Sequence, residues 1–174
     1  FFFKQKTAYE IPKRDWSSDV CSSDLSRDEA AALLRRCCGS AAWVDAMLAR
    51  RPFGSNEAFL EAAETAWWAL SPRDWLEAFA HHPRIGERRV ADSLASREQS
   101  GAATASEQTR AALAEANDTY ASKFGYIFIV CATGKSAEEM LALLRARLDN
   151  DPDTEIRIAA AEQAKITALR LRSL

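Results

Sequence analysis

The sequence predicts an all-α, single-domain helical bundle, on three observations. Its 174 residues are alanine-rich yet include only 6 glycines and 5 prolines, a composition that favours helix. From Arg27 onward, apolar residues recur at the three-and-four spacing of helix faces. The one β-rich run, Tyr126-Ile127-Phe128-Ile129-Val130, is too short and isolated to found a sheet.

The elements follow in order. Asp28 to Arg36 is an amphipathic start, shortened at its beginning. Ala41 to Arg50 is a second helix, ended by Pro52. Asn56 is expected to cap a third that runs to about Ala69. Ser71-Pro72-Arg73-Asp74 supplies a serine cap, a proline at the first helical position and an acid two residues later. That fourth helix should carry Trp75, Leu76 and Phe79 inward and stop before His82-Pro83. Glu87 to Ala103 reads as an exposed connection with a helical turn or two. Thr104 or Ser106 opens a long helix to Phe124, terminated by Gly125. Ser136-Ala137-Glu138-Glu139 is a capping box for a helix to Leu148. Pro152 and Asp153 precede the last helix, in which Ile156, Ala159, Gln163, Ile166 and Leu169/Arg170 share helical spacing. Trp43, Trp67, Trp68 and Trp75 fall in these helical patterns and read as core.

Residues 1–25 do not share this texture. They follow neither helical nor strand periodicity and hold no apolar run of a secretory signal. Asp19-Val20-Cys21-Ser22-Ser23-Asp24-Leu25 is what GAC GTG TGC TCT TCC GAT CT encodes, the end of a short-read sequencing adapter. Lys4-Gln5-Lys6-Thr7-Ala8-Tyr9-Glu10-Ile11 matches the other adapter segment. The segment is therefore expected to be a non-native, adapter-derived and disordered tail, with the folded domain spanning 26–174.

The bulk numbers narrow the function. A formal charge of −2 gives no electrostatic reason to expect nucleic acid or an anionic membrane as partner. No apolar run approaches a membrane span. Cys21, Cys37, Cys38 and Cys131 have neither zinc-ligand spacing nor a secreted-disulfide pattern, so a metal site is not expected and a reducing cytoplasm fits best. The run before Gly134-Lys135-Ser136 imitates a phosphate-binding loop. The early glycine such a loop needs is Ile129 here, which argues against nucleotide hydrolysis.

The chemistry-bearing stretch is His81-His82-Pro83-Arg84-Ile85-Gly86, with Glu98-Gln99 further on. Histidine exchanges a proton near neutrality, and a carboxylate from a neighbouring element would complete an acid–base pair. The plainer reading is a histidine pair closing a helix, favoured by its dipole. Glu98 and Gln99 alone read as a solvated helical face, and Arg170 as a surface residue with a buried stem.

Taken together, the segments resemble one family, the 2-oxo-4-hydroxy-4-carboxy-5-ureidoimidazoline (OHCU) decarboxylases of urate breakdown. The resemblance runs from about Leu33 to Leu174. It is carried by Cys37-Cys38-Gly39-Ser40, Arg51-Pro52-Phe53, His82-Pro83-Arg84-Ile85-Gly86, Glu98-Gln99, the run Tyr120 to Ala132, Glu155, Glu162-Gln163-Ala164-Lys165-Ile166 and Leu169-Arg170-Leu171. It implies an all-helical, cofactor-independent carboxy-lyase of purine metabolism that yields (S)-allantoin, cytoplasmic and commonly a homodimer. It further implies His82 as the catalytic histidine, with Pro83 beside it, and Glu98 as its acidic companion. Gln99 and Arg170 would hold the substrate, and Phe128, Ile129, Val130, Cys131 and Ala132 would contribute backbone contacts. Family members often carry serine or threonine where Ala95 stands here. Ser96 follows one place later, so either position is a candidate to face the substrate. The competing expectation, from another class, is a non-catalytic helical protein that retains the ligand pocket.

Overall fold

The computed structural model describes residues 25–83 and 106–174. Of the expected disordered tail over 1–25 only Leu25 is described, and it is ordered: it is half-buried against the core and its carbonyl accepts from Arg51 at 3.0 Å. Residues 1–24, the Glu87–Ala103 connection and the candidates Ser96, Glu98 and Gln99 lie outside the described residues. Within them the chain is helical, with seven helices and no strand among the described residues: α1 (Arg27–Cys37), α2 (Ala41–Ala49), α3 (Asn56–Trp68), α4 (Pro72–Ala80), α5 (Glu107–Phe124), α6 (Ala137–Arg147) and α7 (Pro152–Arg172).

Local chemistry sets most helix ends. Ser26 and Glu29 form a reciprocal box at the start of α1, with Glu29 Oε2 accepting the Ser26 N–H at 3.0 Å. Ser40 caps α2 through the Trp43 N–H, at 3.3 Å. Asn56 is not the cap of α3. Ser55, one residue earlier, accepts the Ala58 N–H at 3.1 Å, and Asn56 becomes the first helical residue. At α4 the Asp74 carboxylate accepts both the Ser71 N–H, at 3.0 Å, and its hydroxyl, at 2.7 Å. Ser106 rather than Thr104 caps α5. Gly125 ends it at φ +80°, a backbone conformation that other residues adopt at a cost. Ser136 and Glu139 form the expected box at α6. Pro152 does not precede α7 but opens it, because Asp151 accepts the Thr154 N–H at 2.9 Å and leaves proline at the position that needs no donor.

The core has two parts. The larger joins α1 to α4 with α7, and the smaller joins α5 with α6. Three buried tryptophans stitch the first part, each donating its indole N–H to a helix carbonyl. Trp43 reaches Ala63 at 3.0 Å, Trp67 reaches Ala160 at 2.9 Å, and Trp75 reaches Trp67 at 3.1 Å. Two expected core positions are exposed instead: Trp68 at 44% and Leu76 at 38%. Each directly follows a residue that takes the core, Trp67 and Trp75, and one step along a helix turns the side chain about 100° away. Leu169 is likewise exposed, beside buried Leu171.

Residues 127–132 join the two parts without belonging to a helix or sheet. Ile129 and Cys131 pack into the larger core, whereas Phe128, Val130 and Ala132 pack into the smaller one. That strict alternation is the period of an extended chain. The run has strand geometry, and helices rather than strands flank it.

Candidate active site

His82 sits on the turn that ends α4, its N–H donating to the Phe79 carbonyl at 3.1 Å. Its side chain is half-buried and has partners of its own, and Pro83 follows, also half-buried. His81 behaves differently. It is exposed, its Nδ1 lies 3.0 Å from the Glu77 carbonyl, and its ring packs against Gly39. A Cβ on Gly39 would stand 2.4 Å from His81 Cγ, so glycine is required for the α1–α2 junction to approach the end of α4.

That junction also meets α7. The Cys38 thiol is wholly buried, hydrogen-bonds with Thr167 and feels the charges of Arg170 and Glu77. Burial is the chief cause that pushes it from 9.0 to about 11, so it stays a neutral thiol. Glu77 Oε2 in turn accepts the Ala41 N–H at 3.2 Å, fixing the start of α2. His81 meets Gly39 and Thr167 meets Cys38, which brings the end of α4 and the C-terminal part of α7 to the same junction. Arg170 itself is half-buried.

The extended run is held by side chains. Arg147 donates to the Ile129 carbonyl at 2.7 Å, Glu162 Oε2 accepts the Cys131 N–H at 2.7 Å, and Lys135 Nζ donates to the Cys131 carbonyl at 2.7 Å. Lys135 is thus committed to the backbone of the segment that imitates a phosphate loop. Arg147 is paired with Glu155, its Nε 2.7 Å from Oε1, and stacks over the Phe128 ring at 4.6 Å. Glu155 is fully buried and also accepts from the Tyr120 hydroxyl and, at 2.6 Å, from Asn150 Nδ2. Burial foremost, with the Glu155 hydrogen bond, holds the Tyr120 phenol far above its ordinary range, so it remains a donor. Glu162 is pushed upward by burial. The bonds from Lys165 and Cys131 and the nearby lysine charges outweigh that and leave it below the usual carboxylate range.

His82, Pro83, Phe128 to Ala132 and Arg170 are thus described and placed; Ser96, Glu98 and Gln99 are not among the described residues. The clamp formed by Arg147, Glu155, Tyr120, Lys135 and Glu162 escaped sequence reasoning. One signal was available. Glu155, Ala159, Gln163 and Thr167 follow one another at i, i+4, so three polar residues share with Ala159 a stripe of α7 that is buried throughout. A cavity of about 720 Å3 lies elsewhere, between α3 and α7, and is lined by Trp67, Trp68, Lys165 and Leu169 rather than by His82 or residues 128–132. Its position argues against treating it as the chemical centre. Among the described residues no group of His, Cys, Asp and Glu is arranged to hold a metal ion.

Comparison with known proteins adds a family. The model of OHCU decarboxylase matches residues 23–172. The uric acid degradation bifunctional protein TTL of Arabidopsis thaliana is 41% identical over 145 residues, covering 79% of this chain and 45% of that protein. The chain therefore spans less than half the length of that relative. The 2-oxo-4-hydroxy-4-carboxy-5-ureidoimidazoline decarboxylase of Haloferax volcanii is 28% identical over 123 residues, 70% of this chain and 73% of that one. A crystal structure of OHCU decarboxylase in the presence of (S)-allantoin superposes with a TM-score of 0.72 at 42% identity, over 80% of this chain and 94% of the other. A crystal structure of (S)-allantoin synthase, at 20% identity and TM-score 0.67 over 90% of this chain and 53% of the other, shares the fold.

Proposed function

The chain belongs to the OHCU decarboxylase family, and from that premise we propose that it converts 2-oxo-4-hydroxy-4-carboxy-5-ureidoimidazoline to (S)-allantoin in urate degradation, without a cofactor. The observation that carries the reading is the match, at 42% identity and over 94% of its length, to a decarboxylase crystallised with (S)-allantoin. In the reaction the bond to the carboxylate carbon breaks and CO2 leaves. The electron pair passes into the ring's own imine and carbonyl system, which makes an external electron sink unnecessary. A proton is then delivered to one face of the carbanion carbon.

The side chains suit these steps. His82, half-buried on the turn that ends α4, is the acid that protonates the intermediate, with Glu98 as its acidic companion. Arg170 presents a planar fork suited to carboxylate or ureido oxygens. Pro83, Ser96 and Gln99 complete the binding set, and the backbone of residues 128–132 stabilises developing oxyanion charge. No helix among the described residues is long and apolar enough to cross a membrane. A cytoplasmic homodimer, with residues 1–25 a non-native tail, completes the proposal.

The test follows the optical signal of allantoin from freshly generated substrate. The wild-type protein is expected to accelerate decay and yield the S enantiomer. His82→Gln should lose about 10²–10⁴-fold in kcat while keeping its circular dichroism. Decay no faster than in buffer would favour the ligand-binding alternative, and wild-type turnover by His82→Gln would overturn the assignment of the acid.

A further inference from the structure

Residues 128–132 alternate their side chains between two cores, so their peptide groups must alternate between two edges. In an extended chain the N–H and C=O of one residue point the same way, and those of the next residue point oppositely. The Ile129 carbonyl, the Cys131 N–H and the Cys131 carbonyl therefore share one edge. All three are taken by side chains, of Arg147, Glu162 and Lys135. These side chains do what a neighbouring strand would do. The opposite edge carries the Val130 peptide, and none of the hydrogen bonds among the described residues uses its N–H or C=O.

We propose that Arg147 and Glu162 are positioning residues that act as a surrogate strand along the Ile129–Cys131 edge, and so hold the Val130 N–H toward the substrate on the other edge. The inference rests on the decarboxylase reading and narrows it, since it selects one peptide out of a five-residue segment. In a sheet a neighbouring strand fixes such a peptide by pairing its other edge, but no strand flanks this segment among the described residues. Here a buried arginine and a half-buried glutamate, from α6 and α7, replace it. Donors fixed in advance cost no reorganisation when charge develops, so loosening the clamp should lower kcat more than it raises KM.

Glu162 is the better probe, because Arg147 belongs to a buried ion pair whose loss endangers folding. Glu162→Ala is expected to lower kcat about tenfold or more, with KM changed less than about threefold. Glu162→Gln retains an acceptor oxygen and should recover most of the loss. Lys165→Met removes the ion pair on the other carboxylate oxygen but leaves the Cys131 bond, and should stay within about twofold of wild type. Amide hydrogen exchange read by NMR gives a signal independent of turnover. The Cys131 amide should be protected in the free protein and lose protection in Glu162→Ala. The Val130 amide should slow only when (S)-allantoin is added. Wild-type kcat in Glu162→Ala, or a Val130 amide indifferent to saturating (S)-allantoin, would overturn the proposal. An inactive wild-type protein would instead sink the functional reading, and the Cys131 and Val130 amides would still report on the clamp.

Discussion

Glu155 is the most consequential charge in the described structure, and Glu155→Gln isolates it. The substitution is nearly isosteric, so it opens no cavity. It removes the negative charge from a fully buried site where Arg147, itself only 10% exposed along its side chain, has its ion-pair partner. Tyr120 and Arg147 Nε can still donate to the remaining oxygen, but the new amide N–H2 faces the Asn150 donor. Breaking a buried pair from one side costs about 3–5 kcal/mol, and retention of the acceptor puts Glu155→Gln near 3. At about 2–4 °C per kcal/mol for a chain of this size, Tm should fall by roughly 6–12 °C. Urea unfolding at fixed protein concentration, followed by the fluorescence of buried Trp43, Trp67 and Trp75, measures the loss directly. The double variant Arg147→Met with Glu155→Leu removes both charges, and should be more stable than Glu155→Gln although the Ile129 carbonyl has lost its donor. A loss below about 1 kcal/mol in Glu155→Gln, or a double variant less stable than the single one, would refute the reasoning about desolvated charge.

Two further outcomes follow from the α1–α2 junction. Gly39→Ala places a methyl group 2.4 Å from His81 Cγ, and should cost about 1–3 kcal/mol; His81→Ala in the same chain should recover part of it in a double-mutant cycle, and simple additivity would show that the two residues do not clash. The Cys38 thiol, raised from 9.0 to about 11 chiefly by burial, is easier to ionise in the unfolded chain. Its contribution is complete below pH 9.0 and lost as pH rises toward 11, on the order of 3 kcal/mol in all. Urea midpoints at pH 8 and pH 10.5 should therefore fall further apart in the wild type than in Cys38→Ala, and an equal fall in both would show that other groups carry the alkaline instability.

Helix positions were legible because their signals are local. A capping serine acts within three residues, as Ser106 and Ser136 do, and an apolar face repeats within a turn or two. The slips were of the same range: Ser55 displaced Asn56 as a cap, and Trp68 and Leu76 each sit one position off the inward stripe. His82, Pro83, Arg170 and the 128–132 run were visible as motifs, because residue type and order survive without a structure. The clamp was not. Arg147 looks like an ordinary basic residue in a last helical turn, yet it binds the Ile129 carbonyl 18 residues away, and Glu162 binds the Cys131 N–H across 31.

By itself, then, the sequence determined the helical class, most helix ends and the residues that carry the family motifs, since each depends on neighbours a few positions apart. Only the tertiary structure decided that a strand-like segment would be paired by side chains in place of a sheet. It also decided that His81 would be spent on packing against Gly39 while His82 is left for other contacts. Those outcomes depend on which helices meet, and burial makes a charge such as Glu155 or Arg147 seek a partner wherever packing brings one, whatever its distance along the chain.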